Sequence, residues 1–225
     1  MVMLRLLLTS LAGCVVLAWA AMATAQPGGL GSREVFFSTP TINDAVPDAF
    51  AGGPLTASAV VTHEDDWRQF EFVAARFRPQ MEAELRSIGE IWTQHGVRLA
   101  EGTVFRRVHV RKLIPAPLSI PLSRTELAAL FGGQPVPFGL RGHSRPLRDV
   151  HAVRSGGLTF YGEIIDGRLR TLGLDLDARP PLQTDVAARL ESFIRTNGLV
   201  LVHWPSRKAF ASPESAMRYL RGQGG

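Results

Sequence analysis

Two strand-like runs, residues 158–165 (LTFYGEII) and 168–176 (RLRTLGLDL), are separated only by Asp166-Gly167. A two-residue link between such runs specifies a β-hairpin, and Asp-Gly suits it because both central positions of the tight turn need positive φ. The hairpin commits the chain to an antiparallel sheet. Counting outward from the turn sets Glu163 opposite Arg170, an opposite-charge cross-strand pair.

Further elements follow from period and punctuation. Residues 57–62 (ASAVVT) and 67–74 (WRQFEFVA) read as strands, the second with Phe70 and Phe72 on one face and Gln69 and Glu71 on the other. The intervening HEDD then becomes the loop of a second hairpin. Pro79 opens a helix carrying Met81, Leu85, Ile88, Ile91 and Trp92 as its apolar stripe, and Gly96 ends it. Residues 104–113 (VFRRVHVRKL) alternate as one strand, with Arg107, His109 and Arg111 on a common face. Ser123 and Glu126 form a capping box for a short helix, with Leu122 and Leu127 placed as its staple. The Gly- and Pro-rich stretch 132–142 reads as a loop, and residues 150–154 as a strand. Thr184 caps a helix that Asn197-Gly198 terminates. Residues 199–204 (LVLVHW) read as a buried strand, and Ser212-Pro213 starts a final helix.

Strands in hairpins, punctuated by helices, define an α+β fold: an antiparallel sheet with three to four helices packed mainly on one face. Segments 74–96 and 177–198 both follow a strand and both run Ala-Arg, Pro, helix, Gly, so the fold can also be written as two ββα-like halves.

The first 25 residues hold one charge, Arg5, then a charge-free run to Ala25 that closes on Ala23-Thr24-Ala25. That is the pattern of a cleaved secretory signal peptide. A lipoprotein box ending at Cys14, or retention of the run as a membrane anchor, are the minor alternatives; contact with a membrane is expected only in those cases. The domain reading is therefore signal peptide 1–25, a flexible Gly/Pro-rich segment 26–56, and a single domain 57–225, exported to the periplasm or the exterior of a bacterial cell. Cys14 is the only cysteine, so the mature chain has no disulfide, no thiol nucleophile and no cysteine-based zinc site.

The chain has 25 Lys and Arg against 20 Asp and Glu. Only Lys112 and Lys208 are lysines, and arginine binds phosphate and carboxylate in a bidentate fork. There is no basic low-complexity arm, and nucleic acid is not an expected partner.

Complete catalytic constellations are missing. HEDD (63–66) has Trp67 where a zinc-protease helix needs its second histidine, and four consecutive polar residues do not make a calcium loop. There is no Gly-x-Ser-x-Gly, no Ser-x-x-Lys and no phosphate loop, and neither a cofactor nor a catalytic residue is assigned. Asp149 and His151 could share a strand face, but the surrounding arginines repel a divalent ion, so no metal is assigned. What remains is cationic: Arg107, His109 and Arg111 on one strand, and Arg141, His143, Arg145, Arg148 and His151 in the segment RGHSRPLRDVH. These point to a non-catalytic binding protein, an accessory, inhibitor or immunity-type protein whose arginine-rich face meets an acidic protein or an anionic envelope component. The alternative is an envelope-polymer hydrolase using Asp175, Asp177 or His63, to be recognised by their convergence with Asp66 in one cleft.

Overall fold

The computed structural model describes residues 35–45, 50–112, 118–155, 158–175 and 183–222. The signal-peptide segment, Cys14 and Asp177 lie outside the described residues. One folded unit starts at Phe37.

Along the chain come β1 (Thr41–Asn43), β2 (Val60–Thr62), β3 (Phe70–Ala74), α1 (Arg78–His95), β4 (Gly96–Leu99), β5 (Gly102–Phe105), β6 (His109–Arg111), β7 (Ile120–Pro121) and α2 (Arg124–Phe131). There follow β8 (Pro135–Leu140), β9 (Val150–Ser155), β10 (Leu158–Ile165), β11 (Arg168–Asp175), α3 (Thr184–Asn197), β12 (Leu199–His203), β13 (Lys208–Phe210) and α4 (Pro213–Leu220). The fold is α+β. A nine-stranded mixed sheet runs β13-β12-β3-β11-β10-β9-β8-β2, with β7 added to the turn end of β11. Its β2–β8 pair is parallel and its other pairs are antiparallel. Two small sheets, β1–β6 parallel and β4–β5 antiparallel, stand beside it.

Alternation along the central strands decides which helix lies where. Phe70, Phe72 and Ala74 of β3, with Leu199 and Leu201 of β12, face a core built from α2, α3 and α4. Val73, Val200 and Val202 point the other way and are covered by Met81 and Ile88 of α1, with Trp204. Helices α1 and α3, the candidate repeats, thus lie on opposite faces of the sheet, so the two segments do not stack as equivalent halves on one side.

The β10–β11 hairpin forms at Asp166 (φ 50°) and Gly167 (φ 66°). Its register differs from the even count. Ile164 pairs Leu169, but a bulge follows and Glu163 pairs Thr171 rather than Arg170. The Glu163 amide donates to Thr171 Oγ1 at 3.2 Å, which holds the shifted register. The capping box of α2 is present, with the Ser123 amide donating to Glu126 and the Glu126 amide to Ser123 Oγ. Gly132 (φ 71°) and Gly198 (φ 57°) end α2 and α3 in the left-handed conformation. Thr184 is the first residue of α3, and Gln183 takes the cap.

Further local expectations are corrected. The strands flanking HEDD do not form a hairpin: β2 pairs β8 at one edge, whereas β3 lies between β12 and β11. Residues 63–69 carry the chain between these places, because Trp67 is drawn into an aromatic cluster with Phe138 and Tyr161. The run 104–113 breaks after Phe105, whose amide and carbonyl pair with Phe37, and resumes as β6 against β1. The Gly/Pro stretch contains β8, whose Pro135 and Pro137 lie in the part that pairs β9 alone, before β2 joins at Phe138. Part of the segment read as a flexible tether also belongs to the fold. Thr41 is fully buried in β1, and Phe50 bridges Leu147. Among the described residues no helix is long and apolar enough to cross a membrane.

Candidate functional site: a polar cleft over a buried ion network

Trp67 leads into Arg68, whose φ of 55° turns the chain sharply before β3 begins. That turn sends the Arg68 side chain inward, where Nε donates to Glu71 Oε2 at 2.6 Å with both side chains 2% exposed. Glu71 Oε1 accepts from the indole N–H of Trp204 at 2.9 Å. From β6, Arg111 lies over the Trp204 ring at 5.0 Å and donates from Nη2 to the Arg68 carbonyl at 3.0 Å. Gln69 Nε2 donates to the carbonyls of Thr41 and Asp65, each at 2.5 Å. Burial pushes Arg111 down to about 10, with the Glu71 carboxylate opposing the shift. It therefore remains a cation at neutral pH, and one buried carboxylate faces two buried guanidiniums. Arg68 Nη2, Arg111 Nε and Thr41 Oγ1 are buried without a hydrogen-bond partner among the described residues.

Tyr161 joins this network to the surface. Its side chain, on β10, crosses the facing β11 strand at Gly173, where an added Cβ would lie 2.4 Å from the phenolic oxygen. Only glycine leaves room for the ring. The hydroxyl accepts from the Arg68 amide at 2.8 Å, and burial pushes the phenol well above its ordinary range. Over it opens a cleft of ≈190 Å³ whose lining includes Asp66, Asp175, Thr62, Tyr161, Phe70 and His203. His203 Nδ1 and Ser206 Oγ are 2.6 Å apart, and the ring meets Phe70 edge-on.

The cationic residues read from sequence do not form one face. Arg111 is 1% exposed and serves the buried network, which removes it from any partner surface. His109 pairs with Glu84 of α1, which also accepts from the Lys112 amide. Arg107 is exposed on the bend between β5 and β6. His151 is half-buried on β9; burial and Arg124 hold its imidazole below the ordinary value. The structure does bring Arg141, His143, Arg145 and Arg148 together on the β8–β9 loop, all exposed. That loop is pinned by hydrogen bonds from Arg141 N to Thr62 O (2.8 Å), Leu55 N to Ser144 O (2.8 Å) and Leu147 N to Phe138 O (2.7 Å). Phe50 stacks on His143 at 4.3 Å.

HEDD is a 3₁₀ turn, Glu64–Asp66, whose first turn is capped by His63 Nδ1 accepting from the Asp65 amide. His63 is therefore occupied with its own turn, while Asp66 lines the cleft with Asp175. Among the described residues no group of three or more His, Cys, Asp or Glu is placed to hold a metal ion.

Sequence reasoning missed the ion network. The alternation of WRQFEF put Gln69 and Glu71 on the face opposite Phe70 and Phe72 without telling whether that face is covered; α1 and Trp204, after β12, cover it. The available signal was LVLVHW, a partner strand too apolar for one-sided burial. Comparison of the chain with protein-family models, curated proteins and solved structures gives no match.

Proposed function

We propose that the protein is an exported binding protein that engages an anionic partner through the β8–β9 loop. One observation carries this reading: Arg141, Arg145 and Arg148 project from a loop whose backbone is fixed on both sides, and none has an ion pair among the described residues. With the loop backbone already ordered, only the arginine side chains remain to be ordered when they meet carboxylate or phosphate, and each can form charge-assisted, bidentate hydrogen bonds there. The leader-like first 25 residues support an envelope or extracellular setting, where the partner would be an acidic protein or an anionic envelope component.

The test is cosedimentation of the mature chain, residues 26–225, with phosphatidylglycerol vesicles, and capture of proteins from an envelope extract, each with an R145E/R148E variant beside the parent. Loss of vesicle binding, or of a saturable acidic partner, on charge reversal supports the reading. Identical behaviour of the two proteins overturns it.

A second reading, hydrolysis of an envelope polymer, is favoured by the placement of Asp66 and Asp175 in one cleft. Turnover of an envelope polysaccharide that disappears in D175N would support it, and no turnover by the parent would dismiss it.

A further inference from the structure

The cleft over Tyr161 lies apart from the arginine loop in its chemistry. Asp66 and Asp175 can only accept hydrogen bonds as carboxylates. Tyr161 is 2% exposed, and its oxygen already accepts from the Arg68 amide. Its O–H hydrogen has no acceptor among the described residues and remains to be donated. Thr62 is 8% exposed, lines the same cleft, and its hydroxyl makes no hydrogen bond among the described residues. A hydroxyl that is open to the cleft can donate to or accept from a ligand there. Gln69, also in the lining, has its amide hydrogens engaged by Thr41 and Asp65, so it supplies wall rather than recognition. Phe70 and Leu174 add apolar surface.

This inventory selects among ligand chemistries. A phosphate or carboxylate would meet two carboxylates and be repelled. A simple ammonium would satisfy the aspartates but offer no acceptor to Tyr161 and no apolar face to Phe70 and Leu174. A ring bearing several hydroxyls does all three: it donates to Asp66 and Asp175, accepts from Tyr161 and Thr62, and presents C–H surface to the apolar wall. The ≈190 Å³ of space suits one such ring rather than a chain.

We infer that the cleft bounded by Asp66, Asp175, Thr62 and Tyr161 is a binding site for a single sugar unit. That unit is a free monosaccharide or the terminal residue of a polysaccharide. The inference does not depend on the arginine loop, and R145E/R148E should leave it intact.

Saturation-transfer NMR and calorimetry on the mature chain test it, with glucose, N-acetylglucosamine, cellotetraose and chitotetraose as probes and putrescine as the cationic control. Saturable binding of a sugar is expected, weakened about tenfold or more in D66N and in D175N, since each loses a charge-assisted hydrogen bond. Asp66 is exposed, so D66N tests the site without threatening the fold; Y161F, which keeps the ring, should weaken binding as well. Equal affinity for monosaccharide and tetrasaccharide assigns a free sugar, and preference for the tetrasaccharide assigns a chain end. Binding without turnover supports the inference while dismissing the hydrolase reading. The inference is overturned if none of the four sugars binds, if putrescine binds more tightly than any of them, or if D66N and D175N both bind as the parent does.

Discussion

Glu71→Gln isolates the energetics of the buried network. Glutamine keeps the length of the side chain and an oxygen to accept from the Trp204 indole, so the packing is held nearly constant. What disappears is the one negative charge facing Arg68 and Arg111. Glu71 and Arg68 are 2% exposed and Arg111 is 1% exposed, so water cannot replace the lost charge. Breaking a buried pair by neutralising one partner costs about 3–5 kcal/mol. A domain of this size has a total stability of about 5–15 kcal/mol, so the variant stands near the limit of folding. At about 2 kcal/mol per molar urea, the unfolding midpoint should fall by about 1.5–2.5 M. Equilibrium urea unfolding followed by tryptophan fluorescence measures it, since Trp67 and Trp204 are both buried beside the network. The compensating variants sharpen the test. Arg68→Met with Glu71→Leu removes the pair but leaves Arg111 a lone buried cation, and should recover only part of the loss. Adding Arg111→Met should recover the rest. A midpoint shift under about 0.5 M for E71Q, on the same urea scale, would show that the guanidiniums are solvated or neutralised by another group, and the account of the network would fail.

Gly173→Ala should displace the Tyr161 ring, because the new Cβ would lie 2.1 Å from Tyr161 Cζ; a loss of about 1–3 kcal/mol is expected in thermal melts, and an unchanged melting temperature would contradict the packing. Glu126 is held below the ordinary carboxylate value first by the Ser123 amide and then by its hydroxyl; Ser123→Ala removes only the hydroxyl, so by carboxyl NMR Glu126 should move part of the way back and stay below that ordinary value. Because its folded pKa is depressed, its contribution to stability is present above the ordinary value and lost as pH falls through the lowered one, so S123A should make the acid limb of a stability–pH profile only slightly shallower. His151, pushed below 6.5 by burial and then by Arg124, favours the folded state above pH 6.5 and opposes it as pH drops through its lowered value. His151→Gln should therefore reduce acid sensitivity in that window, and a profile identical to the parent's would refute the assignment.

The local grammar of the chain was enough for much of the fold. Asp166-Gly167 specified its hairpin because only a few residues accept two successive positive φ angles. Ser123 with Glu126, and Ser212 with Pro213, specified helix starts because their side chains satisfy amides a few residues away. These interactions lie within a short span, so the sequence carries them complete, and the α+β class follows from their order. The register of β10 against β11 was not local. The Thr171 hydroxyl and the bulge beside Glu163 moved it by one residue. The separation of β2 from β3 was not local either, since it depends on Trp67 reaching Phe138 and Tyr161. For the candidate site, sequence supplied the residue types but not their grouping. Arg111 was read as a surface cation because alternation reports which residues share a face, not whether another element covers that face. Asp66 and Asp175 are separated by more than a hundred residues, and they line one cleft because β11 lies beside β3. Short-range hydrogen bonding and backbone sterics are written in neighbouring residues; burial and the meeting of distant side chains exist only once the sheet order is fixed.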